Sequence, residues 1–427
     1  MNKGSQHNKD LKGLEGLLSQ VTGKVTNIQQ QKAIAFLTSN GLPTRKTEVW
    51  KYTDLKWINQ YSFTQPQSVS DEQVKIWLAK NIFSSDELAK LPRLVTVNGK
   101  IYTEFSTLLN HPSFDIQKDT GLYGNLACPD RDVMTALNYA MGGQAVQLKI
   151  AKGQQGGTIL LINLGYATDG ETIAFHPRFQ VVLDDHAQLS IVEFNVGSGI
   201  YFTNPVCEFI VGPHADLQYN KLVNSSLQSY ICSNAYISLA DHAKYRQFLM
   251  TKGAAFSRQE VYLSLKGEWS DAAFHAVQTL SGKQHADITA LVSHLAPHCR
   301  SEQNVKNILS DRSHGVFQGK VYVDQHAQKT DAQQQNQALL LSDQSEINTK
   351  PELEIYADDV KCSHGATVGA LDQEQLFFLM SRGIPHDQAR QILINAFIAA
   401  AVDVVEDPIA KTLLKEQLGV EIVEDIT

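Results

Sequence analysis

The dipeptide His-Ala recurs at His186, His214 and His242, 28 residues apart each time, and each copy follows an apolar run that ends in a Gly, Pro or Asp turn. From about residue 145 the segments TILLINLG, FQVVLDD, LSIVEFNVG, VCEFIVG, AYISLAD and EVYLSLKG alternate β-branched or aromatic residues with polar ones. That alternation is the period of a strand with one buried face. The segment ends Val211, Leu239 and Leu265 keep nearly the same step. A repeat of this length, with no helix between its strands, can bury its apolar face only against the next copy, so the copies stack as coils of a solenoid. The chain is therefore expected to be mainly β, with a parallel β-helix core. The period blurs after about residue 270, where His285-Ala286, His314-Gly315 and His326-Ala327 read as displaced echoes.

The flanks read differently. KVTNIQQQKAIAFLTSNGLP carries apolar positions at Ile28, Ala33, Ala35 and Phe36 and a Gly41/Pro43 stop, which predicts a helix. DEQVKIWLAKNIF predicts another, with an apolar face of Val74, Trp77, Leu78 and Ile82. Between them, LPTRKTEVWKYTDL is basic and aromatic; it is expected to tie the helical arm to the core rather than to clamp a ligand. After the strands, LDQEQLFFLMSRGI offers Asp372 as an N-cap, an apolar face through Leu376, Phe377 and Met380, and a Gly383 stop. A second helix after Pro385 carries Ala389, Ile392, Leu393, Ala396, Phe397 and Ala400. This pair either closes the solenoid or docks a partner. The expected division is an N-terminal helical and mixed region over 1–140, a parallel β-helix core over 141–369, and a C-terminal helical region over 370–427.

A net charge of -8 argues against a polyanion-binding surface. The polar start MNKGSQHNKDLKG has no apolar stretch, and the longest apolar run, AFIAAAV, is far too short to span a bilayer, so a cytoplasmic protein is expected. The five cysteines, at 128, 207, 232, 299 and 362, are scattered and form no C-x-x-C pair, unlike a disulfide framework or a self-sufficient zinc site. G-x-x-x-x-G-K-[ST], G-x-G-x-x-G and H-E-x-x-H are absent, so no ATP site and no catalytic residue is assigned.

Metal-binding chemistry concentrates in DDVKCSHGATVG, residues 358–369. Asp358 and Asp359 are neighbours and point to opposite faces of a strand, so a paired carboxylate mechanism on polysaccharide does not fit them; a solvated turn does. Cys362 and His364 are two apart and share a face, with Cβ atoms about 6–7 Å apart. Thiolate and imidazole suit soft and borderline metals, and two donors make half of a site that takes about four. The alternative is a buried thiol beside a surface histidine. The nearest further donors are His294, His298 and Cys299 in HLAPHCR, a cluster that is equally readable as a turn satisfied locally.

GLPTRKTEVWKYTDL, GVFQGKVYVDQHAQKTDAQQQNQALLLSD, KPELEIYADDVKCSHGATVG and LDQEQLFFLMSRGI, in that order, closely resemble the SufB/SufD family of the SUF iron-sulfur cluster assembly system, from about residue 30 to about residue 400. The C-S-H wording resembles the SufD branch. SufB chains are usually longer and often carry clustered cysteines in the N-terminal half, where this chain has only Cys128. The resemblance implies a right-handed parallel β-helix and a scaffold role. It implies pairing with SufB through the β-helix and docking of the SufC ATPase on the C-terminal helices, with homodimers possible in isolation. It further implies a transient iron-sulfur cluster or iron held between the subunits, to which Cys362 and His364 contribute. Reduced flavin is implied only for the whole complex. Three other readings stay open here: a SufB-like scaffold, a β-helix enzyme acting on polysaccharide, against which the absence of a signal peptide counts, and an adaptor whose Cys362 and His364 bind nothing.

Overall fold

The computed structural model describes residues 12–21, 27–82, 86–118, 126–142 and 145–419; the polar start and the last eight residues of the chain lie outside them. The chain is mainly β, 43% strand against 24% helix, and the strands form a solenoid of about eight turns. Successive strands alternate between two sheets. In the regular part the first sheet takes Gln188–Ser198, Asp216–Asn224, Lys244–Thr251, Asp271–Leu280, Arg300–Leu309, Asp331–Leu340 and Lys361–Gly369. The second takes Arg178–Leu183, Val206–Val211, Tyr230–Leu239, Phe256–Leu265, His285–His294, His314–Val323 and Glu346–Ile355. Every pairing among these is parallel and in register. The inward rows of the two sheets meet in a core that includes Val181, Leu183, Phe209, Val211, Leu217 and Ile237.

The His-Ala repeat has a backbone cause. His186, His214 and His242 hold φ of 57°, 55° and 56°, and the ladder continues through Trp269 at 60°, His298 at 60° and Lys329 at 64°. Each turns the chain from the second sheet to the first, and each donates its N–H to a carbonyl one coil on: Pro213, Asp241, Glu268, Pro297, Gln328 and Asp359. The left-handed region is disfavoured for residues with a Cβ, though less so for histidine than for branched side chains. The following residue points into the corner and is small, namely Ala187, Ala215, Ala243, Ser270, Cys299 and Thr330, all buried. Outside, the rings stack: 4.6 Å from His186 to His214, 4.7 Å to His242, 6.5 Å to Trp269 and 4.1 Å to His298. The period blurs because Trp269 and His298 take the turn position and the register lengthens to 29 residues, as between His285 and His314.

The N-terminal region covers the outer face of the second sheet. GLPTRKTEVWKYTDL ties it down as expected: Trp50 is buried, the Arg258 guanidinium lies 4.0 Å over its ring, and Arg258 and Gln318 donate to the Val49 carbonyl at 2.9 and 3.0 Å. The Thr53 hydroxyl bonds Asp287 and lies 3.0 Å from His285 Nε2. Helices Ile28–Asn40 and Asp71–Asn81 form where the pattern predicted, the second behind a Ser70/Gln73 capping box.

The C-terminal helices lie on the outer face of the first sheet. Ile394, Ile398, Ala401 and Val402 of helix His386–Val402, with Leu413 and Leu414 of helix Pro408–Leu418, pack on Leu222, Phe248, Met250, Val277 and Ile308. Lys306 Nζ donates to the Phe397 carbonyl at 2.7 Å, and Thr158 bonds the capping Asp407 at 2.7 Å. The helices therefore cover the flank of the solenoid and not its end.

Candidate functional site

The two ends of the solenoid are built differently. At its start the outermost strands are the two-residue Lys100–Ile101 and the four-residue Asp115–Lys118, both antiparallel to their neighbours. At its far end they are Glu346–Ile355, 10 residues, and Lys361–Gly369, 9 residues. A long outermost strand presents a row of unpaired N–H and C=O groups, ready to template another strand. Every residue of Lys361–Gly369 is exposed except the half-buried Cys362.

Cys362 and His364 lie on this last strand, and register fixes where they sit. On the preceding strand Ala332, Gln334 and Asn336 are buried while Gln333 and Gln335 are exposed. Cys362 pairs with Ala332 and His364 with Gln334, so both belong to the inward row. Among the described residues no further coil covers them. Cys362 packs against the small cluster of Val321, Val323, Ala327, Ala332 and Ala357, and His364 stands exposed beside it at the mouth. Burial pushes the Cys362 thiol up from its ordinary value, with a smaller contribution from Asp331 and an opposing backbone hydrogen bond at Ala332. In the isolated chain the sulfur is thus held as a thiol, which a coordinating cation would deprotonate.

The residues of HLAPHCR do not join them. His294 is fully buried, bonded to Ser301 Oγ at 2.8 Å and pushed down to about 4 by burial. His298 stacks on Trp269 in the outer ladder, and Cys299 fills a corner, 3.2 Å from Ser270 Oγ and from the Gly267 carbonyl. Three residues within six positions of the sequence serve core, turn and corner. Among the described residues no group of three or more His, Cys, Asp or Glu side chains could hold a metal ion. The rim supplies two donors. Asp358 and Asp359 are exposed in a bend, where Asp359 pairs with Lys329.

A second surface is apolar. Of the expected face on helix Gln373–Ser381 only Leu376 is buried; Phe377 is 73% exposed, Phe378 57% and Met380 43%, and Ile392 on the next helix is 44% exposed. Phe378 was not part of the face read from the sequence, because helical spacing assigns residues to a stripe without saying whether the stripe meets the core. No helix among the described residues is long and apolar enough to cross a membrane.

Residues 166–397 match the family described as SUF system FeS cluster assembly, SufBD core domain. The chain is 30% identical over 406 residues to the iron-sulfur cluster assembly protein SufD of Escherichia coli K12, covering 94% of each. It is 31% identical over 419 residues to an iron-sulfur cluster assembly SufBD family protein of Synechocystis, covering 92% of this chain and 91% of that one. The SufD of Bacillus subtilis is 27% identical over 282 residues, 64% of this chain and 63% of the other.

Proposed function

Because the chain belongs to the SufBD family of the SUF iron-sulfur cluster assembly system and matches the SufD of Escherichia coli over 94% of its length, we propose that it is a non-catalytic scaffold subunit, working in the cytoplasm, that supplies half of a shared cluster site. The nascent cluster or iron is cargo. The observation that carries this reading is the position of Cys362 and His364, two donors on one inward row at an uncovered rim, in no group of three or more His, Cys, Asp or Glu among the described residues. A site so incomplete holds metal weakly alone and needs ligands from another chain. The bare strand Lys361–Gly369 supports a partner there, and the partner proposed is SufB, whose own β-helix would continue the sheet.

The apolar face of Phe377, Phe378, Met380 and Ile392 is proposed as the docking surface for SufC. Exposed aromatic clusters of this kind mark interaction sites, and ATP chemistry is assigned to that partner. The division into an N-terminal region over 1–140, a β-helix over 141–369 and a C-terminal docking region over 370–427 is proposed on the same basis. Reduced flavin is assigned to no residue of this chain.

One reconstitution tests both assignments. With SufB and SufC present, Cys362→Ala/His364→Ala is expected to abolish most cluster formation while the three-part complex still assembles, and Phe377→Asp/Phe378→Asp is expected to lose SufC on co-purification. Full cluster yield from the first variant would reduce the chain to an adaptor. Retention of SufC by the second would move the docking site elsewhere.

A further inference from the structure

Inside the last coils the core turns polar, and its amides are held in a directed chain. Gln278 Nε2 donates to Asn307 Oδ1 at 2.8 Å, Asn307 Nδ2 to Asn336 Oδ1 at 2.8 Å, and Asn336 Nδ2 to Thr349 Oγ1 at 2.9 Å. All three amides are buried, and each donates its N–H to the following coil. Beside this chain runs a second inward row, in which Gln303, Gln334 and His364 stand in register on successive strands. Gln334 is 3% exposed and donates backward along the row, its Nε2 lying 3.4 Å from Gln303 Oε1. Its Oε1 is buried and has no hydrogen-bond partner among the described residues. The opposite wall gives it room: residue 319 is glycine, and a Cβ there would come within 2.1 Å of the Gln334 amide nitrogen. An unpaired buried acceptor carries its desolvation penalty uncompensated. The next side chain along the row is the His364 imidazole, on a strand about 4.8 Å away.

We propose that Gln334 is a positioning residue for His364. Its Oε1 accepts the N–H of one ring nitrogen, which selects a single neutral tautomer and turns the lone pair of the other nitrogen toward the open rim. Metal-ligating histidines are commonly oriented in this way, through the ring nitrogen that does not bind the metal. The chain Gln303–Gln334–His364 then resembles the neighbouring amide chain, except that it ends in a ligand. This assignment rests on the reading of His364 as a ligand for iron or a nascent cluster, and it gives that ligand a fixed direction before any partner arrives.

The test uses the full-length chain labelled with 15N-histidine, at alkaline pH, and reads the tautomer of His364 from its ring nitrogen shifts. The wild-type ring is expected to favour one tautomer, and Gln334→Met, which keeps the side-chain length and loses the acceptor, should change the ratio about fivefold, as expected for one net hydrogen bond. Gln334→Glu retains an acceptor and should preserve the preference. The buried His294 signals report whether each variant is folded; if Gln334→Met is not, Gln334→Glu decides alone, and loss of the preference there overturns the assignment. An unchanged ratio in a folded Gln334→Met variant overturns it as well. This readout is separate from cluster yield. A full yield from His364→Ala would remove the ligand role without altering the tautomer result, whereas an unchanged tautomer would remove the positioning role and leave the ligand.

Discussion

Arg258 holds the N-terminal arm to the solenoid, and its replacement tests whether that arm is a latch. The side chain is 1% exposed. It bonds Glu260 at 2.6 Å, pairs with Asp287, donates to the Val49 carbonyl and lies against Trp50. Both carboxylates are also buried, Glu260 at 2% and Asp287 at 0% exposed. They have other donors, Tyr262 and Asn234 on Glu260 and Thr53 and Thr289 on Asp287, but among the described residues no other cation bonds them. Removing one partner of such a buried group costs about 3–5 kcal/mol, because the remaining charges stay desolvated. The penalty falls on the closed latch alone, since water solvates the carboxylates once the arm lifts. Arg258→Met is therefore expected to speed exchange of the Trp50 and Thr53 amides, which are bonded to Thr47 and Trp50 carbonyls, by about 10²–10³-fold or more, at about 1.4 kcal/mol per factor of ten. Amides on the distant strand Asp216–Asn224 should be unchanged. In the triple variant Arg258→Met/Glu260→Gln/Asp287→Asn no charge remains to be desolvated, so most of the protection should return. Exchange within tenfold of wild type in the single variant, or a triple variant worse than the single one, would refute the latch.

Acid should weaken the fold. His176, His285 and His294 are pushed down by burial to about 4, about 3 and about 4, so below about pH 6.5 the unfolded chain takes up these protons first and stability falls. Asp132 opposes them, since burial and the nearby Glu260 push it up to about 7 and the folded chain is protonated first there. Three imidazoles against one carboxyl leave the unfolded chain about 1.5–2 protons ahead, a slope of roughly 2–2.5 kcal/mol per pH unit at pH 5–6; urea midpoints that stay flat from pH 7 to 5 would contradict this. The outer ladder gives a third prediction. His214→Val puts a β-branched residue at φ 55° and should destabilise by about 1–2 kcal/mol, whereas His214→Gly should lose less than half of that. Equal denaturation midpoints for the two would mean that ring stacking, not backbone conformation, selects histidine at this corner.

The solenoid was legible because the corner imposes two requirements at adjacent positions, a residue that tolerates φ near 55–60° and then a small one pointing inward. Where both are met by His-Ala the period is visible. Where Trp269-Ser270, His298-Cys299 and Lys329-Thr330 meet them instead, the geometry continues and the wording does not. The same substitution explains why HLAPHCR reads as a ligand cluster: imidazole and thiol are chosen there for packing and turn conformation, and sequence adjacency carries no information about direction at a corner. For Cys362 and His364 the shared face followed from their spacing. That this face is the inward row, left open by the last coil, did not, because it depends on where stacking stops and on the helices after Asp372 turning to the flank. Of the face that amphipathic spacing assigns to helix His386–Val402 only Ala389 is buried; the side that packs, through Ile394, Ile398, Ala401 and Val402, is set by the outward residues Phe248, Val277 and Ile308, more than 70 residues earlier.

The two strands of the open rim are not equivalent, and the difference bears on how a partner can approach. Glu346–Ile355 is guarded. Pro351 lacks an N–H to offer, and Lys350, Glu352 and Glu354 hold charges along it, with Lys350 bridging Glu352 at 3.1 Å and Glu48 at 3.0 Å. Proline and paired charges are the usual means of keeping an edge from recruiting another strand. Lys361–Gly369 has no proline, a single charged residue at its first position, and Gly365, Ala366 and Gly369 where bulk would obstruct a neighbour. Strand addition is thus blocked along one sheet and left free along the other, and the free edge is the one that carries the thiol and the imidazole. A chain that extends the first sheet there would satisfy the unpaired backbone and, through the same hydrogen bonds, bring its own inward row about 4.8 Å from Cys362 and His364. On the proposed ligand role of Cys362 and His364, completion of the ligand set and closure of the edge would be a single event.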